Sequence, residues 1–337
     1  MGKNKYRDDD SYYLELENAV KSIKKSPELV ISPSPYPSKG TDCRSRNVTT
    51  SLPLVSNIGA ASAALGSKIY MVGGDYNRKW PWEVSSEVFS LDTRNSNGVW
   101  QKERSCMMGK RSFTNAVATR GKMYVFGTAT DRPTPKLWAE VFDPALDTWS
   151  SLPDPPPELM GTFHSPFTAV VDNGKKILLG VVDVGLFSFH VISETWKRIS
   201  NTPLFNLSRW FSTAATLDDV LYTCSGDRVF AYDLVGEEWF KEPVHGIGIA
   251  SFSVLPRSEI NGGLVVESGN KTLCVVWSDY EWNEKEETGI KMIRCVKFRV
   301  TRVENSEGQH YLRAHVECRS AYLSGDTTSS LYDCFAL

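Results

Sequence analysis

The stretch Gly66-Ser67-Lys68-Ile69-Tyr70-Met71-Val72-Gly73-Gly74 combines a tight turn, a short strand with an aromatic residue at its centre, and a glycine pair. The same order of turn, strand and glycine recurs three times, in residues 121–127, 174–180 and 218–226. The strand positions that align with one another are Tyr70, Tyr124, Ile177 and Tyr222, spaced 54, 53 and 45 residues apart. A repeat with this period predicts a fold built from stacked copies of one unit.

A second marker follows each copy in the same order. It is a strand that ends in a tryptophan-bearing segment, and the tryptophans are Trp100, Trp149, Trp196 and Trp239. They are spaced 49, 47 and 43 residues apart, and in the last three copies Asp143, His190 and Asp233 precede them by six residues. Two independent markers in one order indicate a true repeat. We interpret His190, which replaces the aspartate, as structural.

The repeat unit reads as about four strands of roughly five residues joined by turns. A glycine at the end of the second strand suits a place where backbone approaches backbone and no side chain fits. Tryptophan is large enough to fill the gap between neighbouring sheets. Because one such sheet cannot bury both faces, the copies must stack in a ring. The sequence therefore predicts an all-β fold, a β-propeller.

The repeat resembles the kelch repeat, whose blade signature is a glycine pair, an aromatic-Asp step and a tryptophan. Gly73-Gly74 is the full pair, and the other three copies keep one glycine each. The wider pattern, with a long leader and degenerate glycines, resembles the kelch half of plant F-box/kelch-repeat proteins. At about 45–50 residues per blade, the chain after Pro53 predicts six blades. The fifth falls in residues 262–277, the sixth in residues 291–323, and residues 281–287 form a loop.

The leader, residues 1–50, differs in kind from the propeller, residues 51–337. It predicts a short helix over residues 11–25 followed by a proline-rich linker, the whole only partly ordered. The family resemblance implies an F-box of some 40 residues in three helices, which docks on a cullin-RING ubiquitin ligase while the propeller holds the substrate protein. The leader contains no recognisable F-box, so whether these cullin-RING components are partners stays open.

Composition restricts the function classes. The chain has 337 residues, 38 Lys+Arg and 40 Asp+Glu, for a net charge of −2. This balance argues against partners such as nucleic acid or an anionic membrane. The seven cysteines form no C-x-x-C pair and no secretory signal is visible, which predicts a cytoplasmic or nuclear protein without a disulfide framework or zinc site.

Two enzymatic kelch propellers serve as comparisons. Galactose-oxidase-like chemistry needs a copper site of two histidines and two tyrosines, and no matching cluster is present. Glucosinolate specifier proteins are kelch propellers with a site that resembles an E-x-x-x-D-x-x-x-H iron motif. The residues of this chain that come nearest to that spacing are Glu237, Lys241 and His245. A lysine in the middle repels a cation. We predict no catalytic residue, no metal and no cofactor; the alternative is a metal-dependent propeller enzyme acting on a small molecule.

A binding role has stronger support. Thirteen residues before each aligned strand position stand Asn57, Arg111, His164 and Arg209. In a propeller such positions recur around one rim of the central channel, and this donor-rich set suits an acidic peptide of a protein partner. The alternative is that these side chains fix the packing of neighbouring blades. On the binding interpretation, replacing Arg111 and Arg209 by alanine weakens partner binding and leaves the melting temperature nearly intact.

Two long loops follow the glycines of the first two blades, in residues 75–82 and 130–138. Their candidate contact residues are Arg78, Trp80, Arg132 and Trp138. Arginine and tryptophan dominate the binding energy of protein interfaces, so we interpret these loops as a protein-binding face. The alternative places Trp80 and Trp138 over the edges of blades.

Overall fold

The structure is a computed structural model that describes residues 59–74, 84–95, 99–127, 129, 137–160, 167–181, 184–200, 214–225, 228–248, 263–283 and 288–323. It also describes three two-residue strands near the N-terminus, β1 (Glu28–Leu29), β2 (Ser32–Pro33) and β3 (Thr50–Ser51). The helix predicted over residues 11–25 lies outside this part of the chain.

The described strands form five antiparallel blades in chain order. Blade 1 contains β4 (Ala61–Leu65), β5 (Lys68–Val72), β6 (Val88–Asp92) and β7 (Gln101–Lys102). Blade 2 contains β8 (Asn115–Thr119), β9 (Lys122–Phe126), β10 (Ala139–Asp143) and β11 (Thr148–Ser151). Blade 3 follows the short helix α1 (Pro157–Met160) and contains β12 (Phe167–Val171), β13 (Lys176–Val181), β14 (Gly185–His190) and β15 (Thr195–Ser200).

Blade 4 contains β16 (Ala214–Leu217), β17 (Val220–Ser225), β18 (Arg228–Asp233) and β19 (Glu238–Trp239). Blade 5 contains β20 (Leu264–Glu267), β21 (Leu273–Asn283), β22 (Thr288–Glu304) and β23 (His310–Leu323), with β2 at its outer edge. The first strands of successive blades, β4, β8, β12, β16 and β20, contact one another in order. This arrangement of inner strands is that of a β-propeller, as predicted.

The predicted count of six blades is wrong for the described part of the chain. The segments assigned to a fifth and a sixth blade belong to one sheet, in which β21 pairs with β22 from Leu273 to Asn283 and β22 pairs with β23. Strands of this length replace the short strands and turns of the earlier blades. Part of the predicted loop over residues 281–287 is also strand, because β21 continues to Asn283.

Tight turns between the first and second strands set the register of the blades. Arg120 and Gly121 have φ angles of 51° and 77°, and Asp218 and Asp219 have φ angles of 49° and 59°. Two successive residues with positive φ are the signature of the type I′ turn, whose twist matches that of paired strands. The residues of these two turns therefore determine where each hairpin reverses direction and how its strands pair.

Hydrophobic clusters hold the blades to one another. Each buried cluster draws side chains from two successive blades: Val72 and Met123 meet between blades 1 and 2, and Tyr222 and Phe298 meet between blades 4 and 5. The propeller therefore depends on nearest-neighbour interfaces. Among the described residues, no helix is long and apolar enough to cross a membrane.

In blades 2, 3 and 4, the tryptophan of the repeat has a specific packing partner, the aromatic residue just before the Asp or His. Trp149 pairs across strands with Phe142, their rings stacked with centroids 5.0 Å apart. Trp196 pairs with Phe189 at 4.9 Å in the next blade. Both tryptophans also pack against the cluster shared with the preceding blade. The aromatic-Asp-to-tryptophan spacing of the sequence is the spacing of this cross-strand pair.

The second-strand glycines lie where the backbone is crowded. Gly180 stands directly opposite Phe167 on the neighbouring strand. A Cβ at this position would lie 2.0 Å from two ring carbons of Phe167, a side chain that is itself buried. The glycine of blade 3 is therefore required because a larger side chain would clash with Phe167. Its backbone conformation does not require glycine, because its φ angle is not in the left-handed region.

We expect Gly180→Ala to lower the free energy of unfolding by about 1–3 kcal/mol, because the added methyl group overpacks a closed site. Gly236→Ala is the matched control, since a Cβ there meets Asp233 and Glu238 at ordinary distances of 3.4 Å or more. Urea unfolding followed by tryptophan fluorescence measures both. Similar values for the two variants would contradict the steric explanation.

Candidate functional site

The two predicted binding residues that the structure describes, Arg111 and Trp138, lie near one end of the blades, which we call the rim. It is the end at which the second strand of a blade leads into the third and the fourth strand leads into the next blade. Arg111 and Trp138 are described by the structure. The other candidates, Asn57, Arg78, Trp80, Arg132, His164 and Arg209, lie outside the described residues.

Arg111 is fully buried and forms an ion pair. Its side chain has no exposed surface, and its Nε donates a hydrogen bond to Oε1 of Glu140 at 2.8 Å. Its Nη1 donates to the carbonyl oxygen of Trp138 at 2.9 Å and to that of Gly127. The guanidinium is thus held by blade 2 beneath the rim.

Glu140 completes this arrangement from β10. It is also fully buried, and its Oε2 accepts a hydrogen bond from the backbone N–H of Met108 at 2.7 Å. The N–H of Gly109 donates to Oε1 at 3.4 Å. A buried carboxylate needs such partners because its desolvation costs several kcal/mol. Glu140 therefore fixes both the side chain of Arg111 and the segment that leads to it.

The backbone of Arg111 connects this ion pair to blade 1. The N–H of Arg111 donates to the carbonyl of Ser85 at 2.9 Å, and its carbonyl accepts from the N–H of Gly74 at 2.8 Å. A Cβ on Gly73 would lie 2.5 Å from the same carbonyl oxygen, and Gly73 has a φ angle of 70°. The close approach of Arg111 thus explains Gly73, and Gly74 has a φ angle of 89°, a conformation that favours glycine. We call this junction of blades 1 and 2 the Arg111 node.

Trp138 also lies inside the molecule. Its exposed fraction is 2%, and its ring packs with Phe126 and Trp196 at centroid distances of 6.1 and 5.8 Å. The indole therefore joins the core between blades 2 and 3. Both Arg111 and Trp138 are therefore packing residues, which is the alternative that the sequence left open for each of them. Neither is exposed for direct contact with a partner.

Glu140 was not identified from the sequence as the partner of Arg111. Counted from Asp143, it occupies the position of Phe89, Phe187 and Phe230 in the other blades. An ionisable residue in an otherwise apolar strand was the available signal. Its partner, Arg111, lies 29 residues earlier, and no local pattern links the two.

His190 performs the structural role that we predicted for it. In blades 2 and 4, Asp143 and Asp233 accept hydrogen bonds from the backbone N–H groups of the following turn, at 3.0 Å from Ala145 and 2.9 Å from Val235. In blade 3, Nδ1 of His190 accepts from the N–H of Ser193 at 3.1 Å. The imidazole thus replaces the carboxylate as the acceptor that closes the turn.

The residues considered for an iron site lie in and after the turn that follows β18. Glu237 is a turn residue with a φ angle of 53°, and Nε2 of His245 lies 2.6 Å from Oε2 of Glu242. In the part of the chain that the structure covers, no group of three or more His, Cys, Asp or Glu side chains is arranged to hold a metal ion.

We expect Arg111→Ala to lower the free energy of unfolding by about 3–5 kcal/mol, because it leaves the Glu140 carboxylate buried without its cation. This replaces the expectation that the arginine is removed without loss of stability. Glu140→Ala should cost a similar amount, and the double variant less than the two losses together.

Denaturant unfolding of the four proteins in this cycle gives the coupling energy. Lys271→Ala is the control, since Lys271 pairs with Asp218 at 2.9 Å with both side chains mostly exposed and such pairs contribute less than about 1 kcal/mol. Additive losses in the Arg111–Glu140 cycle would show that the two side chains act independently.

A second prediction concerns the turn of blade 3. Hydrogen bonds from Gly236 and Val235 to the carboxylate of Asp233, together with Arg302, hold its pKa below the usual range. A carboxylate at position 190 should behave in the same way, so His190→Asp should raise stability by about 0.5–1 kcal/mol at pH 7. The gain should be lost as pH falls through about 4 and below, because a lowered folded-state pKa stabilises only the ionised form. Thermal unfolding of His190→Asp and His190→Asn at pH 7 and pH 3 tests this, because the neutral amide oxygen of asparagine accepts hydrogen bonds at both pH values. An advantage of the aspartate over the asparagine that persists at pH 3 would contradict it.

Comparison with known proteins agrees with this architecture. Residues 29–317 match the family described as "FKB95, Kelch-repeats domain". A kelch repeat-containing protein of Arabidopsis thaliana is 28% identical over 265 residues, which cover 71% of this chain and 60% of the relative. An F-box/kelch-repeat protein of Arabidopsis thaliana is 29% identical over 245 residues, covering 72% and 56%, and another is 26% identical over 234 residues, covering 67% and 54%.

The chain thus spans no more than about 60% of the length of these curated relatives. The family match covers most of the chain, and its bounds include all the blades from β4 through the long strand β22. The glycine pair at the Arg111 node and the aromatic-Asp-to-tryptophan spacing are the features through which the repeat builds those blades. The chain belongs to the FKB95 kelch-repeats domain family.

Proposed function

We propose that this chain is a non-enzymatic protein-interaction module, related to the substrate-recognition subunits of cullin-RING ubiquitin ligase adaptors. The observation that carries the proposal is the family match over residues 29–317 on a propeller whose curated relatives include F-box/kelch-repeat proteins. A propeller presents the connections at one end of its blades from a rigid scaffold, which is the arrangement that binding loops need.

The rim is the proposed contact surface. The connections between the second and third strands of blades 1 and 2 contain the predicted loops over residues 75–82 and 130–138, and Gly74 and Gly127, which precede these loops, are hydrogen-bonded to Arg111. The proposed direct contacts are Arg78, Trp80, Arg132, Asn57, His164 and Arg209. Arg111 and Trp138 support this surface from beneath, because both are buried. The cationic and donor-rich side chains favour an acidic segment of a partner protein.

Ligase recruitment is a separate question from partner binding. The term F-box in the names of the relatives describes those proteins. For this chain, we propose that the propeller binds its partner whether or not a cullin-RING assembly is attached. We propose a cytoplasmic or nuclear location, because the cysteines form no C-x-x-C pair and those that the structure describes are free thiols.

The test is affinity purification of the tagged full chain from plant extract, with mass spectrometry of the bound proteins. Three versions are compared: the natural chain, a rim variant with Arg78→Glu and Arg132→Glu, and a control with Lys271→Glu. Lys271 is exposed and lies in the turn between β20 and β21, at the opposite end of the blades.

We expect a specific partner whose recovery falls at least about tenfold in the rim variant, because reversed charges oppose an acidic segment, and is unchanged in the control. A Skp-family adaptor and a cullin in the same sample would identify a ligase adaptor, and their absence a stand-alone interaction module. Equal recovery from all three versions would overturn the rim as the contact surface. Conversion of a small molecule by the purified chain would overturn the non-enzymatic assignment.

A further inference from the structure

The outer face of the hairpin in blade 5 carries a second polar surface, away from the rim. We call it the Arg313 strip, and it consists of Lys297, Arg299 and Thr301 on β22 and Tyr311, Arg313 and His315 on β23. These residues share one face of the sheet because Arg299 lies opposite His315 and Thr301 lies opposite Arg313. The other face of the hairpin carries Phe298 and Leu312, which are buried against blade 4.

The strip has an excess of positive charge. Lys297, Arg299 and Arg313 supply three cations, and the nearby carboxylate is Glu317, which pairs with Arg299 at 2.6 Å. Arg313 forms no ion pair with any described residue. Its guanidinium lies 5.7 Å from the ring centre of Tyr311, and its Nη2 donates a hydrogen bond to the Tyr311 hydroxyl at 3.0 Å. The arginine is thus held in place by a neutral partner, and no carboxylate in the described part of the chain compensates its charge.

The linker between blades 4 and 5 limits how this surface can be used. His245 donates its N–H to the carbonyl of Leu312 at 2.9 Å and accepts from the N–H of Ala314 at 2.7 Å. Its ring lies against Tyr311 at a centroid distance of 5.3 Å. The backbone edge of β23 is therefore occupied beside Arg313. A ligand of the strip must contact its side chains rather than add a strand.

The chain contains a segment of complementary chemistry. It is residues 8–17, Asp8-Asp9-Asp10-Ser11-Tyr12-Tyr13-Leu14-Glu15-Leu16-Glu17. The segment has five carboxylates and no cation, although the whole chain has a net charge of only −2. Carboxylates form short charge-assisted hydrogen bonds with arginine, and the two tyrosines offer rings to the aromatic part of the strip.

The fold places this segment within reach. Strand β2 pairs with the end of β23, with Ser32 opposite Leu323 and Pro33 opposite Tyr322. His315 lies eight residues before Leu323, or about 26 Å along the strand. From Glu17 to Ser32 there are 15 residues, which span up to roughly 50 Å when extended. A tethered segment acts at an effective concentration in the mM range, so even weak contacts are populated.

We propose that the acidic segment of residues 8–17 docks on the Arg313 strip of the same chain. The carboxylates bind Arg313, Lys297 and His315, and the tyrosines pack beside Tyr311. The strip is then an intramolecular docking site, which an acidic segment of another protein reaches only by displacing the leader. This inference concerns a different surface from the rim and does not depend on what the rim binds.

The experiment uses the full chain with the photo-crosslinking amino acid p-benzoylphenylalanine at position 12. After irradiation, peptide mapping identifies the residues joined to it. We expect intramolecular crosslinks to residues 297–315 whose yield falls at least about fivefold in Arg313→Glu/Lys297→Glu and in 0.5 M NaCl, because salt screens exposed charges. Adding Asp8→Lys, Asp9→Lys and Asp10→Lys to the first variant should restore the yield.

Lys271→Glu is the control for a general loss of positive charge and should leave the crosslinks unchanged. Melting curves of all variants verify that the propeller is intact. Crosslinks to other regions, or a yield that charge reversal does not change, would overturn the proposal. Crosslinks that form only between copies and vanish on dilution would also overturn it, and would assign the strip to self-association. Loss of the contact here, with rim-dependent partner recovery intact, leaves the proposed function untouched.

Discussion

The buried ion pair between Arg111 and Glu140 is the constraint on which the junction of the first two blades depends. Moving a guanidinium and a carboxylate out of water costs several kcal/mol per ion. The structure offsets this cost with Nε and Nη1 donors on one side and backbone N–H groups on the other. Because every one of these hydrogen bonds joins separate segments, the pair determines how the chain leaves blade 1 and enters blade 2. Position 73 is glycine because the backbone of Arg111 occupies the space of a side chain, and Gly74 adopts a φ angle of 89° where its N–H donates to the Arg111 carbonyl.

Interfaces between neighbouring blades extend this constraint to the rest of the propeller. The cluster beside the node includes Val72 and Met123, and the next includes Trp138 together with Phe187. Trp138 is the link, because its carbonyl binds Arg111 while its ring packs on Trp196 of blade 3. The node and the core between blades 2 and 3 are therefore joined by continuous packing, and Arg111 and Trp138 lie buried within it.

The sequence was sufficient for the features that local backbone geometry dictates. Glycines, turns and the aromatic-Asp-to-tryptophan spacing report on single hairpins, so they located four blades and the role of His190 at the turn of blade 3. They failed in blade 5, because the charged stretch over residues 281–287 reads as a loop between two blades, whereas β21 continues to Asn283 and pairs with β22 within one sheet. The regular offset of Arg111 located its position in the blade but not its exposure. That depends on Glu140, a partner fixed by tertiary structure and absent from the repeat pattern.

The same comparison separates the two charged surfaces of the molecule. Near the rim, the described arginine has its compensating carboxylate in the core, and its charge contributes to folding. On the outer face of blade 5, Arg313 is held by a neutral tyrosine, and its charge remains available to a ligand. The long hairpin of blade 5 carries this second case, because one of its faces packs against blade 4 while the other face presents Arg299, Thr301 and Arg313. The hairpin that departs from the repeat thus carries the Arg313 strip, and β2 pairs with the far end of the same strand β23, about 26 Å from His315.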